Sequence, residues 1–143
     1  MLIRDVLAKK GSDVVTIEPA ATVHDAVRLM VERNIGAVVV TRDGEPVGIL
    51  SERDVLRLIA RDPIPLDEAR VADLMTTDLV VGLATDEVGY GMAVMTNNRV
   101  RHLPVLDGGT LVGIVSIGDL VNVTLTSLEA ENRWLRDYVQ GAG

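Results

Sequence analysis

The sequence contains no cysteine and no phenylalanine, and its aromatic residues are one tryptophan and two tyrosines. The absence of cysteine excludes disulfide bonds, thiolate catalysis and cysteine-based metal sites. Without phenylalanine, a core must be built from Val, Ile, Leu, Met and Ala, and the many β-branched residues favour a structure that includes β-sheet. A chain of 143 residues can form one compact domain or two small ones packed together.

Positive charge is scarce, especially in the second half of the chain. The formal net charge is −7; residues 1–70 carry 10 basic and 12 acidic side chains, whereas residues 71–143 carry 4 basic and 9 acidic ones. Proteins that bind duplex nucleic acid normally present a basic face, so the composition disfavours nucleic acid as a partner. Any anionic ligand must be held locally, by a few cations and by backbone N–H groups.

Long apolar runs are also missing. The run IGAVVV at residues 35–40 is far too short to span a bilayer, and the N-terminal MLIRDVLAKKGSD has no apolar signal core. We therefore expect a soluble, cytoplasmic protein with no membrane partner.

The sequence contains an internal repeat. With a shift of 65 residues, residues 13–56 align with residues 78–121 without a gap, and GILSERD at 48–54 matches GIVSIGD at 113–119. A second match, with a shift of 68, relates residues 3–7 to 71–75. The repeat predicts four segments: a first unit at 1–62, a linker at 63–70, a second unit at 71–125 and a helical tail at 126–143.

Each unit is predicted to have the order β-α-β-β-α. In the first unit, a strand at 14–17 precedes a helix that Thr22 opens, and strands at 37–41 and 46–50 form a hairpin before Ser51 begins the second helix. One such unit leaves a sheet face uncovered. The predicted fold class is therefore α/β (α+β), with two units packed sheet to sheet as a pseudo-two-fold pair and a C-terminal helix added.

The repeated Ser-x-x-Asp sequence is the candidate functional motif. Its simplest interpretation is a helix capping box, in which the serine contributes roughly 0.5–2 kcal/mol. A helix N-terminus can also bind an anion, and a fixed carboxylate beside it can accept hydrogen bonds from ribose hydroxyls. Gly48, Ser51 and Asp54 are thus interpreted as a nucleotide-cradling turn. A catalytic cluster is disfavoured because Glu52 and Arg53 are absent from the second copy.

Together these features resemble a tandem CBS-domain protein, or Bateman module. The resemblance rests on the β-α-β-β-α repeat, on IGAVVV, on RVRHLPVLDGGTLVGIVSIGD at 99–119 and on both Gly-apolar-apolar-Ser-x-x-Asp segments, and it covers roughly residues 1–125. It implies a regulatory sensor without catalytic activity or a catalytic cofactor. Such a sensor would bind an adenosyl ligand, with AMP as the first choice and ATP, ADP, NAD or S-adenosylmethionine as alternatives. It also implies a flat homodimer and a protein target that the sequence does not name.

The resemblance also implies two binding sites in the cleft between the units, called site one and site two below. The ribose would be held by Asp54 in site one and by Asp119 in site two. Sugar and phosphate would contact Ser51, Arg53, Arg101 and His102 in site one, and Ser116 and Lys10 in site two. The adenine pockets would be lined by Asp78, Leu79, Val80 and Val100 in site one, by Gly11, Asp13, Val14, Val15, Ile35, Gly36 and Ala37 in site two, and by Ile49 and Ile114. Site one suits phosphates better, although the lysines beside site two could do the same.

Two other functions stay open at this point. One is a ligand-independent interaction or assembly module, against which the Ser and Asp retained in both units argue. The other is a small enzyme such as a nucleotide hydrolase, but no nucleophile with a His-Asp arrangement and no acid–base pair of carboxylates stands out. A metal site is not expected, because His24 has no second histidine near it.

The tail carries apolar residues at alternating spacings of four and three, with one asparagine among them: Val121, Leu125, Leu128, Asn132, Leu135 and Val139. The preferred interpretation is a helix folded back on its own module, because an isolated coiled coil requires about three heptads. The alternatives are a contribution to a homodimer and the docking of a partner through Trp134 and Tyr138.

Overall fold

The computed structural model describes residues 1–11 and 14–141 of the chain. Each half contains a three-stranded sheet and three helices. Along the chain the elements are α1 (Ile3–Lys10), β1 (Thr16–Ile17), α2 (Val23–Arg33), β2 (Ala37–Arg42), β3 (Glu45–Ser51), α3 (Glu52–Arg61), α4 (Val71–Leu74), β4 (Gly82–Leu83), α5 (Val88–Asn98), β5 (His102–Asp107), β6 (Thr110–Ser116) and α6 (Ile117–Gly141).

The two sheets have the same topology, which confirms the predicted repeat and fold class. In the order β1-β2-β3, the first pair is parallel and the second antiparallel, and β4-β5-β6 repeats this arrangement. The predicted first strand at 14–17 is shorter than expected, because only Thr16 and Ile17 pair with β2. Both hairpins turn through residues with positive φ, which is the backbone geometry of the two-residue turns that Asp-Gly and Gly-Gly favour.

The short helices α1 and α4 are exchanged between the two units. Ile3, Val6 and Leu7 of α1 are buried in the second core, whereas Val71 of α4 is buried in the first core. Equivalent backbone hydrogen bonds fix both exchanges, since the N–H of Ile3 donates to Asp86 (2.9 Å) and the N–H of Val71 donates to Ala21 (2.9 Å). Each core therefore depends on a segment from the other half of the sequence, so the units cannot separate without opening both cores.

The repeated glycines Gly48 and Gly113 make room for this exchange. A Cβ atom at Gly48 would lie 2.6 Å from the Sδ atom of Met75, and one at Gly113 would lie 2.7 Å from Cδ2 of Leu7. These distances are shorter than van der Waals contact. The two positions therefore require glycine, or else the side chains of Met75 and Leu7 must move. The interpretation of Gly48 as part of a nucleotide-cradling turn is corrected accordingly, because its open face is filled by Met75.

The tail is one continuous helix with α6 and does not fold back. Leu120 is fully buried in the second core, but Leu125 and Leu128 are each more than half exposed, and so is Tyr138. The reason is the sequence between Asp119 and Gln140, which contains no glycine or proline that could end the helix and turn the chain. Among residues 1–11 and 14–141, no helix combines the length and the apolar character that a membrane span needs.

Candidate functional site

A cleft of about 330 Å³ lies between the two units. One wall is formed by the end of β3 and the first two turns of α3, and the other by residues 76–80 and 99–104 of the second unit. Small-molecule sites typically have volumes of about 300–1,000 Å³. Because both units line the cleft, a ligand bound in it would contact both.

The Ser51–Asp54 capping box holds the central carboxylate of the cleft in place. The Oδ2 atom of Asp54 accepts hydrogen bonds from the backbone N–H and the hydroxyl of Ser51, both at 2.9 Å. The Ser51 hydroxyl in turn accepts one from the N–H of Asp54, at 3.3 Å. Within the described part of the chain, the other oxygen, Oδ1, has no hydrogen-bond partner. Half-buried Asp54 thus offers a fixed acceptor to a ligand, as the sequence-based assignment of the ribose requires.

Four arginines converge on the same cleft: Arg53 and Arg57 from α3, and Arg99 and Arg101 from the segment before β5. The ion pairs found among residues 1–11 and 14–141 are Lys10–Asp119 and Arg28–Glu32. None of the four guanidinium groups therefore has a carboxylate partner within that part of the chain. Exposed arginines contribute little to stability, so their concentration around one cleft, in a chain of net charge −7, favours an anionic ligand.

Arg99 occupies a backbone conformation that suits other residues better. It is the C-cap of α5, with φ 55° and ψ 38°, in the left-handed region. The equivalent C-cap of α2 is Asn34, with φ 53° and ψ 50°, and asparagine tolerates this region far better than arginine does. The left-handed backbone at Arg99 therefore costs conformational free energy. Strained residues of this kind are found most often at functional sites.

His102 lines the cleft and is close enough to Lys10 and Asp119 of site two to be affected by their charges. It is half-buried, and this desolvation lowers the pKa of its imidazole below 6.5, an effect that the positive charge of Lys10 reinforces. The imidazole is consequently neutral at pH 7 and can donate or accept a hydrogen bond at the cleft wall. Its Nε2 atom lies 3.4 Å from the position that a Cβ atom would occupy at Gly36.

Site two has the same capping box but a different environment. The N–H of Ser116 donates to Oδ2 of Asp119 (2.9 Å), and the N–H of Asp119 donates to the Ser116 hydroxyl (3.0 Å). Here the ammonium group of Lys10 also donates to Asp119 Oδ2 at 2.7 Å and to the carbonyl of Ile114 at 3.0 Å. Burial raises the pKa of Asp119, but the hydrogen bonds from Lys10 and Ser116 outweigh it, so the carboxyl has a lowered pKa.

The repeat allows the two sites to be compared position by position. The residues that correspond to the four arginines of site one are Gly118, Asn122, Asn34 and Gly36, and the residue that corresponds to His102 is Ala37. Site two therefore lacks every cation of site one at the matching positions. Its own cation, Lys10, comes from α1 and already neutralises the carboxylate that would hold a ribose.

The predicted residues of site one lie together. Those that line the cleft are Ile49, Ser51, Arg53, Asp54, Asp78, Val80, Val100, Arg101 and His102, while Leu79 is in the same loop without lining it. The sequence-based prediction missed Glu52, Leu56, Arg57, Thr76, Arg99 and Pro104. Arg57 was detectable, because it follows Arg53 by four residues and must share its helix face.

The predicted residues of site two are less concentrated. Lys10, Ser116 and Asp119 lie together with the carbonyl of Ile114. Ile35 instead lines an apolar groove between α2 and α3, Val15 packs against the first core, and Ala37 pairs with Ser51 inside the first sheet. Gly11 and Val14 follow α1, and Asp13 lies outside the described residues. No group of three or more His, Asp or Glu side chains within 1–11 and 14–141 could hold a metal ion.

The chain is similar to known CBS domain-containing proteins. The chain is 38% identical over 125 residues to a mitochondrial CBS domain-containing protein of Arabidopsis thaliana, covering 84% of this chain and 61% of that protein. It therefore spans less than two thirds of the length of that relative. It is 36% identical over 112 residues to a CBS domain-containing protein of Bacillus subtilis, covering 76% of this chain and 77% of that one.

Solved structures with the same fold extend over nearly the whole chain. A CBS-domain containing protein of Agrobacterium tumefaciens superposes with a TM-score of 0.82 at 37% identity, covering 87% of this chain and 99% of that one. A CBS domain protein of Pyrobaculum aerophilum, complexed with AMP, superposes with a TM-score of 0.75 at 27% identity, covering 83% and 89%. The CBS domain family profile matches residues 3–61 and 71–125. The chain therefore belongs to the CBS domain family and contains two CBS domains in tandem.

Proposed function

We propose that the protein is a regulatory module that senses an adenine nucleotide, with site one as its exchangeable binding site. The observation that carries the proposal is the cleft itself, which the fixed carboxylate of Asp54 lines together with four arginines that have no carboxylate partner among the described residues. Asp54 would accept hydrogen bonds from the ribose, and the arginines would hold the phosphate. Val80 and Val100, both half-buried, would contact the adenine.

The choice of a phosphorylated ligand follows from charge. An adenosine without phosphate would leave the arginines of the cleft unused, whereas AMP, ADP, ATP and NAD each bring negative charge to them. The Pyrobaculum aerophilum relative in complex with AMP supports AMP as the first candidate. S-adenosylmethionine carries a sulfonium and an ammonium group, so the same arginines disfavour it.

Site two is proposed to be inactive as long as Lys10 remains bound to Asp119. The lysine already supplies a positive partner at 2.7 Å, and a ribose hydroxyl would have to compete with that charge-assisted hydrogen bond. The proposed stoichiometry is therefore one nucleotide per chain.

The response to the nucleotide would be a change in the geometry between the units. The ligand would contact α3 of the first unit and residues 99–102 of the second, so its affinity depends on how the two are placed. A ligand that binds one placement more tightly shifts the population toward it. We propose that a homodimer and a further protein target read this change. A cytoplasmic location stays a prediction, and the Arabidopsis thaliana relative is described as mitochondrial.

A ligand screen tests the proposal directly. The thermal unfolding of the protein would be followed with AMP, ADP, ATP, NAD, S-adenosylmethionine and adenosine, and hits would be measured by calorimetry. We expect at least one phosphorylated ligand to raise the unfolding temperature, and adenosine to bind more weakly than AMP. If none of the six ligands binds, the ligand-independent assembly module becomes the better description. Equal affinity for adenosine and AMP would contradict the role of the arginines.

A further inference from the structure

From Leu125 onward, α6 presents an apolar stripe that no described residue covers. Leu125, Leu128, Leu135 and Val139 are 54%, 51%, 47% and 70% exposed. They recur at alternating spacings of three and four residues, with Asn132 in the middle, so all five lie on one face of the helix. A stripe of this kind on a soluble helix indicates a binding partner.

The stripe has the residue pattern of a parallel two-stranded coiled coil. In heptad notation, Leu125, Asn132 and Val139 occupy position a, and Leu128 and Leu135 occupy position d. Leucine at d combined with a single asparagine at a is typical of parallel dimers, in which the two asparagines pair and fix the register.

We propose that this stripe pairs with the same stripe of a second copy of the chain, as a parallel two-stranded coiled coil. The inference rests on the proposed homodimer and deepens it by naming the surface that the two copies share. It does not depend on the nucleotide.

Charge complementarity supports a second copy as the occupant. Glu131 occupies position g and Arg136 occupies position e of the following heptad, the two positions that face each other across a parallel coiled coil. Glu131 of each copy would therefore face Arg136 of the other copy, which gives two complementary pairs per dimer. Within residues 1–11 and 14–141 of a single chain, neither side chain takes part in an ion pair.

Asn132 disfavours an antiparallel arrangement. In antiparallel coiled coils, position a packs against position d of the other helix, so Asn132 would be buried against Leu128 or Leu135. Its amide would then have no hydrogen-bond partner in the seam, which is unfavourable. The parallel arrangement places the two Asn132 side chains opposite each other, where each satisfies the other.

The helix is already formed before it pairs. Leu120 anchors its first turns in the second core, and the hydroxyl of Thr124 donates to the carbonyl of Leu120 at 2.9 Å. Pairing therefore does not include the cost of helix nucleation. The seam from Leu125 to Val139 spans about two heptads, fewer than the three or four of an independent coiled coil, so we expect a dimer whose population depends on concentration.

A charge exchange tests the seam. Glu131→Arg and Arg136→Glu each place like charges opposite one another, and each variant alone should dimerise about tenfold more weakly in sedimentation equilibrium. An equimolar mixture of the two variants restores both complementary pairs and should recover the dimer. Asp137→Arg, at the outward position f, is the control and should leave the dimer unchanged.

Disulfide trapping tests the orientation, since the chain has no cysteine of its own. In the parallel coil, Leu125→Cys and Val139→Cys should each form a covalent dimer with itself on oxidation. In an antiparallel coil position a packs against position d, so Leu125→Cys would form a covalent dimer only when it is mixed with Leu135→Cys, and that result would overturn the inference.

The outcomes separate this inference from the proposed homodimer. A dimer that none of the α6 variants weakens would overturn the coiled coil and leave the homodimer standing on another surface. A wild-type chain that stays monomeric at every concentration would overturn both.

Discussion

Arg99 offers a substitution with opposite effects on stability and on ligand binding. Arg99→Asn places asparagine at the left-handed C-cap of α5, where the equivalent C-cap of α2 already has Asn34. The backbone caps are alike, because the N–H of Arg99 donates to Met95 and Thr96 and that of Asn34 donates to Met30 and Val31. The exchange therefore changes the side chain and leaves the cap intact.

The expected gain in stability follows from the backbone geometry. A left-handed residue other than glycine, asparagine or aspartate costs about 1–2 kcal/mol, and asparagine recovers part of this, so we expect the free energy of unfolding to rise by about 0.5–1 kcal/mol. Urea unfolding measures this change. The mirror variant Asn34→Arg should lower the free energy of unfolding by a similar amount.

The expected loss of affinity follows from the position of Arg99 in the cleft. Its guanidinium is exposed, so one lost phosphate contact should weaken AMP binding by about threefold to tenfold. Adenosine, which has no phosphate, should bind equally well to both proteins. Calorimetry with AMP and with adenosine provides the comparison. If Arg99→Asn lowers the stability, or leaves the AMP affinity unchanged, then Arg99 is not a strained phosphate ligand.

Two further predictions concern the exchange of helices and the Lys10 contact. Gly48→Ala places a Cβ atom 2.6 Å from Met75 Sδ and 3.1 Å from the carbonyl of Thr76, so we expect a loss of about 1–3 kcal/mol in urea unfolding. Gly89→Ala, with no atom within 4 Å of the new Cβ, is the control and should be neutral or stabilising; equal effects would refute the packing role. Lys10→Met removes a charge that lowers the pKa of His102, so the pKa should rise in an NMR titration. Because the pKa of His102 is lowered in the folded chain, its contribution to stability is present above pH 6.5 and is lost on acidification. Lys10→Met should reduce this loss, and an unchanged titration would show that Lys10 does not act on His102.

The repeat made most of the fold predictable. Matching GILSERD to GIVSIGD identified the two units, and the apolar runs at 37–41 and 46–50 on either side of Asp43-Gly44 located the central hairpin. The ends of the strands differed by one or two residues, because pairing and not composition decides where a strand stops.

The exchange of α1 and α4 was not predictable in the same way. The match between residues 3–7 and 71–75 shows that the two segments are related, but either segment could pack on either sheet. The choice depends on the fit of Leu7 against Gly113 and of Met75 against Gly48, which is a property of the assembled molecule.

Most residues of the cleft were visible in the sequence, whereas the contact between Lys10 and Asp119 was not. Asp54 and Arg101, which line the cleft, were predicted from the motif and the resemblance, and Arg99 could have been predicted from its alignment with the helix-ending Asn34. The bond between Lys10 and Asp119 joins residues 109 positions apart, and no local pattern predicts it. The tail continues α6 because no glycine or proline between Asp119 and Gln140 ends the helix. The heptad spacing on which the prediction was based does not show this.

Calorimetry of AMP binding to two matched variants tests the central claim most directly. Asp54→Asn and Asp119→Asn make the same change in equivalent capping boxes, so their effects on the helix ends should be alike. Because hydrogen bonds to a charged group contribute about 1.5–3 kcal/mol, we predict that Asp54→Asn weakens AMP binding by at least tenfold. Asp119→Asn should keep the wild-type affinity and a stoichiometry of one AMP per chain. Loss of AMP binding in Asp119→Asn, with binding retained in Asp54→Asn, would contradict the assignment of the nucleotide to site one.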